Sequence, residues 1–442
     1  MKSLKLLLRF LTVGGLVLLL LIPLSMIRGT VHERKSYRAE ATERIASSTA
    51  SEQTLLAPLR VVPWVDTIEV EFIDSRGVAR KRIDTTSGNF LQTPTTLVMN
   101  GEMVPDLRKL GLFEVRVYSW RGRMEAAFDP QLPQPAPKFT RQYGVPYLLL
   151  GVSDVRGLVG TPSVRVDGQA MKFVPGTRDY ADSISGVSAT IPAVVGQSVA
   201  GSKVEIEIVV AGTESLSIVP VADSNRVDMY SKWPHPQFSG DFLPVERKIY
   251  KDDRGFSARW DVSSLASQAQ AQLKRIKGVD TQLESLKVSL VDPVDVYTQA
   301  DRASKYGILF VVLTFVGFAL FELIKRLPIH PLQYLLVGLA LAIFFLLLLS
   351  LSEHIAFWQA YLISAAACIG LQFVYLSGVL KSWARAGGFA VMLTALYGVL
   401  YSLLVSEDNA LLMGSLLLFG ILASIMWITR KVDWYDLGSS LR

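Results

Sequence analysis

The chain has 442 residues, half of them apolar, a formal net charge of +6 and one cysteine, Cys368. A single cysteine excludes an intrachain disulfide framework and a thiolate zinc site, and no metal or organic cofactor is expected. Much of the Lys and Arg flanks apolar runs, where it sets membrane topology and needs no nucleic-acid partner.

Apolar residues gather in the first 27 positions and again after Tyr306, with ordinary soluble composition between. That split predicts a membrane protein with a large water-exposed insert. A bilayer core of about 30 Å takes roughly 20 apolar helical residues. The first such stretch, FLTVGGLVLLLLIPLSMI, lies between Arg9 and Arg28 and follows Lys2, Lys5 and Arg9. It exceeds the apolar region of a signal peptide and lacks a small-x-small cleavage site. Residues 1–27 are therefore expected as a cytoplasmic N-terminus and an uncleaved signal-anchor helix. VHERKSYRAEATERIASSTASEQ (Val31 to Gln53) is charged, alanine-rich and free of Gly and Pro. It predicts a polar stalk helix over 28–57.

Residues 58–306 change to period two. TIEVEFID, FEVRVYSW, KVEIEIVVAG and RVDMYS alternate, PYLLLGVSD and SVRVDG are shorter strands, and Gly-containing turns recur between them. FEVRVYSW–RGR–MEAAFD reads as a hairpin turning at Arg121–Arg123. SLASQAQAQLKRIK (Ser264 to Lys277) reads as helical and SLKVSLVD (Ser285 to Asp292) as a last strand. The expectation is a mostly antiparallel, sandwich-like β domain with one substantial core or two smaller ones.

Five further spans follow, at 307–324, 332–351, 355–380, 388–405 and 410–429, ahead of a tail over 430–442. Lys325 and Arg326, Lys381 and Arg385, and Arg430 and Lys431 occupy alternate connections, whereas the turns SEH and SED carry neither Lys nor Arg. The positive-inside rule then places both termini in the cytoplasm and the β domain outside. Trp358, Trp383, Trp427, Trp434 and Tyr435 lie near helix ends, where amphipathic rings favour the headgroup region. The fold class is thus a polytopic α-helical membrane protein of six transmembrane helices. A large β periplasmic domain is inserted between helices 1 and 2.

The two outer turns, LLLLSLSEHIA and LYSLLVSEDNA, align at an offset of 54 residues. Their polar groups, Glu353, His354, Glu407 and Asp408, would form one rim if the hairpins pack side by side. Such a set of carboxylates and one imidazole suits a divalent cation, although solvation of two tight turns explains the same residues. Glu322 is an intramembrane acid, a functional suspect by default, with Arg326 four residues on as a simple ion-pair partner. His330 reads as a solvated loop histidine, and Asp154 with Arg156 as a local pair in a turn. WPHPQFSG (Trp233 to Gly240) has two prolines two residues apart. These predict an ordered loop exposing Trp233, His235 and Phe238 to a partner, or a loop plugging the end of the β core. Nucleotide, zinc-protease and serine-hydrolase motifs are lacking.

SDVRG, WPHPQFSGDFLP, DPVDVYTQADRASKYGILFVVLTF, HPLQYLLVGLALAIFFLLLLSLSEHIAF and the terminal TRKVDWY resemble the CreD family of bacterial inner-membrane proteins, essentially end to end. That resemblance implies a part in cell-envelope integrity, a link to a Cre two-component regulon, and an effect on colicin tolerance and β-lactam response. It carries no catalytic residue. The primary expectation is a non-enzymatic envelope protein whose partners are the bilayer and a periplasmic protein or glycan. A transporter or flippase-like bundle and a membrane-embedded hydrolase or transferase are the alternatives.

Overall fold

The first helix, α1 (Lys2–Ser48), runs for 47 residues with Pro23 inside it. Its first half is leucine-rich. Its second half carries Ala, Glu and Arg, all good helix formers. The stalk predicted over 28–57 therefore exists as a continuation of the anchor, but it stops at Ser48, and a strand begins at Gln53. Ser, Thr and Ser at 48, 49 and 51 compete for backbone hydrogen bonds, and the apolar run that follows joins a sheet. The computed structural model describes residues 2–73, 75, 79–191, 201–250, 254–275, 283–290, 296–325, 329–405 and 410–430. Two units emerge, Met1–Arg38 with Val294–Arg442, and Ala39–Pro293.

The second unit holds β1 (Gln53–Ile73), β2 (Ala79–Gln92), β3 (Thr96–Leu110), β4 (Phe113–Phe128), β5 (Thr140–Tyr143) and β6 (Tyr147–Val152). Then come β7 (Ser163–Val166), β8 (Gln169–Met171), β9 (Phe173–Pro175), β10 (Gly186–Thr190), β11 (Ser202–Thr213) and β12 (Ser215–Val219). Last are β13 (Ser224–Ser231), β14 (Pro236–Gly240), β15 (Glu246–Ile249), β16 (Phe256–Ser263), the short helix α2 (Ala269–Leu273) and β17 (Leu286–Leu290). One sheet runs β14-β17-β12-β1-β6-β10-β9, with β2 and β5 also pairing β1; the other runs β15-β16-β13-β3-β4-β11-β7-β8. Both sheets are mixed, because β1 lies parallel to β12 and β13 parallel to β3, while the remaining pairings are antiparallel.

Alternation explains the layering. In β11, Val204, Ile206 and Ile208 are buried while Lys203, Glu205 and Glu207 face solvent. Both sheets feed a single apolar core, with Leu55, Leu59 and Leu149 from one and Met99, Trp120 and Ile206 from the other. Burying each such side chain contributes about 1.5–3 kcal/mol. Pro58 is tolerated in β1 because the register with β6 shifts between Leu56 and Leu59, a bulge that releases one ladder position.

Three sequence expectations change in this unit. The hairpin turn predicted at Arg121–Arg123 is absent, since β4 runs straight through it and pairs with β3 from Thr96 to Leu110. Gly122 serves the packing instead. It sits opposite Gly101, and a Cβ on either would intrude on the buried Trp120 indole. Of the helix predicted from Ser264 to Lys277, the described residues form only the five of α2, and 276–277 lie outside the described residues. WPHPQFSG is a loop only over Trp233 to His235, because β14 pairs Pro236 to Gly240 with Leu290 to Leu286 of β17. Pro236 opens a strand at the end of its sheet, where a missing N–H is tolerated.

The first unit contains α3 (Val296–Lys325), α4 (Pro331–Ser352), α5 (Phe357–Val379), α6 (Trp383–Val405) and α7 (Ala410–Thr429), besides the first part of α1. Among the described residues, five helices are long and apolar enough to cross a bilayer, namely α1 and α3 to α6. The predicted sixth span coincides with α7, a helix of 20 residues. The second predicted span gains eleven residues, since α3 starts at Val296 rather than 307. Its extension, VYTQADRASKY, has neither Gly nor Pro to break a helix. Likewise α6 starts at Trp383, so ARAGG continues as helix where a loop was expected. Leu20 and Leu24 of α1 pack with Phe315, Phe318, Leu341, Phe344 and Leu393 in one apolar cluster.

Candidate functional site

Of the predicted outer rim, the structure describes Glu353 and His354; Glu407 and Asp408 lie outside the described residues. Glu353 is the C-cap of α4. Its carboxylate turns inward and is only 5% exposed. One oxygen, Oε1, meets Arg34 Nε of α1 at 3.4 Å and accepts from the Tyr297 hydroxyl of α3 at 3.3 Å. Three helices thus share one acid. Burying a carboxylate is costly unless it is paired and hydrogen-bonded, and Arg34 and Tyr297 supply the pair and the hydrogen bond. His354, the next residue, points elsewhere. It is exposed, and its Nδ1 lies 3.1 Å from the Ser350 carbonyl. The acid and the imidazole therefore do not form a pair. Among the described residues no cluster of three or more His, Cys, Asp or Glu has a metal-ligand arrangement.

Glu322 falls within α3, and its side chain lies outside the described residues. His330 has a definite task. Its Nδ1 accepts from Leu332 N–H at 3.3 Å, its own N–H donates to Gln333 Oε1 at 3.0 Å, and Pro331 follows, so it caps α4.

In the β unit, Trp233 and Phe238 are half-buried. Phe238 stands edge-on to Phe256 and Trp260, with ring centroids 5.5 and 5.6 Å away. The Arg116 guanidinium lies 3.6 Å from the centre of the Trp233 ring, and the Trp233 indole N–H donates to the His235 carbonyl at 2.9 Å. His235 itself is exposed. Asp154 and Arg156 do pair, at 2.6 Å. Arg156 Nη1 also donates to the Ser47 carbonyl, and Asp154 Oδ2 accepts from Ser51 N–H at 3.4 Å. This local turn therefore clasps the end of α1. The Arg156 guanidinium holds the Asp154 carboxyl below the usual carboxylate range.

A feature that sequence reading missed is an open groove of about 350 Å³ on the second sheet. Asn100 of β3, Asp228 and Tyr230 of β13, Glu246 and Lys248 of β15 and Arg259 of β16 line it. Arg259 Nε donates to Asp228 Oδ1 at 2.7 Å, and its Nη1 lies 3.5 Å from Glu246 Oε2. The Tyr230 ring is 37% exposed beside them. Planar polar groups next to an exposed aromatic face suit a neutral or zwitterionic polar ligand, with the ring as an apolar platform. β3 lies far before the other three strands in the chain, so no local motif announces this surface.

The sequence model of the family described as inner membrane protein CreD matches residues 5–435. The chain is 36% identical over 426 residues to inner membrane protein CreD of Escherichia coli strain K12, covering 95% of this chain and 92% of that protein.

Proposed function

We propose, from the premise that the chain belongs to the CreD family of inner membrane proteins, that it supports the cell envelope without catalysis, by holding a polar envelope component on its β unit. In this reading both termini are cytoplasmic, α7 completes six spans and the β unit faces the periplasm. The confinement of Lys and Arg to alternate short connections supports that orientation. The observation that carries the binding role is the groove over β3, β13, β15 and β16. Its mixed charges favour a glycan or a zwitterionic peptide over a polyanion. The link to a Cre regulon and to colicin and β-lactam response belongs to this same reading.

A photo-crosslinking residue placed at Lys248 in intact cells tests it. A recurrent adduct is expected, lost when Asp228→Ala and Arg259→Ala are combined at unchanged protein level. Absence of an adduct, or an adduct indifferent to both substitutions, overturns the groove assignment.

A further inference from the structure

The geometry points to a hydrated polar site half-way along the helix bundle, centred on Cys368, with water as its ligand. Tyr361, Ser364, Cys368 and Gln372 recur at spacings of three and four, so α5 directs all four to one side. All are buried, at 5%, 0%, 6% and 2% exposure. Phe357 and Val379 bound the 23-residue α5, which puts Cys368 at its middle residue. At a rise of about 1.5 Å per residue, that is about half the thickness of a bilayer core from either end.

Polar groups at such a depth must find partners, and most do. The Tyr361 hydroxyl donates to the Tyr397 carbonyl at 2.6 Å, and the Tyr397 hydroxyl to Cys368 Sγ at 3.1 Å. Gln372 Nε2 donates to the same sulfur at 3.4 Å, while the thiol lies 3.3 Å from the Ala340 carbonyl of α4. Two atoms are left over. Among the described residues, Gln372 Oε1 and Ser364 Oγ have no hydrogen-bond partner. Other hydroxyls of these helices bond back to their own turn, Thr314 to Phe310, Ser377 to Val374, Thr394 to Ala390 and Ser402 to Val399. Ser364 does not. A lone amide oxygen in hydrocarbon is unfavourable, so the partner that each of these two atoms takes comes from beyond the described residues.

Its chemistry is narrow. Oε1 requires a hydrogen-bond donor, and Ser364 Oγ can either donate or accept. Neither α4 nor α5 contains an Asp, Glu, Lys or Arg, so nothing there neutralises an ion. A small neutral donor and acceptor fits, which is water.

The single cysteine makes the test direct. Its S–H stretch gives one infrared band in the full-length protein in lipid, and exchange in D2O converts it to S–D. The expected result is exchange within minutes, while the residual amide II band shows the helices still protonated. Ser364→Ala combined with Gln372→Leu should slow it at least tenfold. An S–H band in the unsubstituted protein that decays no faster than the protected amides overturns the proposal. Rapid exchange that the double variant leaves unchanged also overturns it.

Discussion

Replacing Arg34 by Ala removes the cation facing Glu353 and leaves a carboxylate that is 5% exposed with the Tyr297 hydroxyl at 3.3 Å. Breaking a fully buried ion pair from one side costs about 3–5 kcal/mol. Arg34 is itself 38% exposed, and solvent screens an exposed partner, so the expected loss is about 1–2 kcal/mol. Glu353→Gln removes the charge that needed compensation and should cost less than Arg34→Ala. The double variant should resemble Glu353→Gln alone, giving a coupling on the order of 1 kcal/mol. Reversible unfolding of the full-length protein in bicelles measures all three variants, with Tyr297→Phe as a fourth to report the hydroxyl. Simple additivity of Arg34→Ala and Glu353→Gln would refute the shared-acid reading, because a solvated turn predicts two independent and small effects.

In the β unit, Gly122→Ala should cost about 1–3 kcal/mol by overpacking against Trp120, and Trp120→Phe in the same chain should recover part of it; near-ultraviolet circular dichroism follows both. Arg156→Ala should expose the 49–52 connection to limited proteolysis, because it removes the donor to the Ser47 carbonyl at the α1 C-terminus. Asp66 lies below its ordinary pKa because of its hydrogen bonds to Arg141, and Asp154 because of those to Arg156. A depressed carboxylate contributes stability that is complete above the unfolded value of about 4 and is lost as pH falls through the folded value. The melting temperature of the β unit should therefore be insensitive to these two groups between neutrality and about pH 5 and decline below about pH 4. Arg141→Met should flatten that acid limb, and an unchanged limb would show that the Asp66 pair contributes nothing.

Local pattern carried a long way. Hydrocarbon-length apolar runs located the helices, because a backbone in lipid must satisfy its own hydrogen bonds and helix does so within one segment. Alternation and short apolar runs located seven of the seventeen strands among the described residues, and the SDVRG pair is local enough to be read from spacing alone. The failures have a common form. Arg121–Arg123 looks like a turn, yet Gly122 is needed by an indole two residues away in the same strand and by Gly101 opposite. WPHPQFSG looks like a loop throughout, yet its second half, from Pro236, pairs with β17 some fifty positions on.

Sequence periodicity and charge were sufficient for the membrane class and the inserted β unit, and the resemblance of a few quoted motifs for the family, since each follows from residues near one another in the chain. Only the folded chain could join Glu353 to Arg34 and Tyr297, assemble the groove from β3, β13, β15 and β16, and turn Cys368, Gln372 and Tyr397 into one buried network. Apart from Cys368 and Gln372, both on α5, and the neighbouring strands β13, β15 and β16, those partners lie tens to hundreds of positions apart. Their meeting depends on strand order and helix packing, which hydropathy along a single segment does not encode.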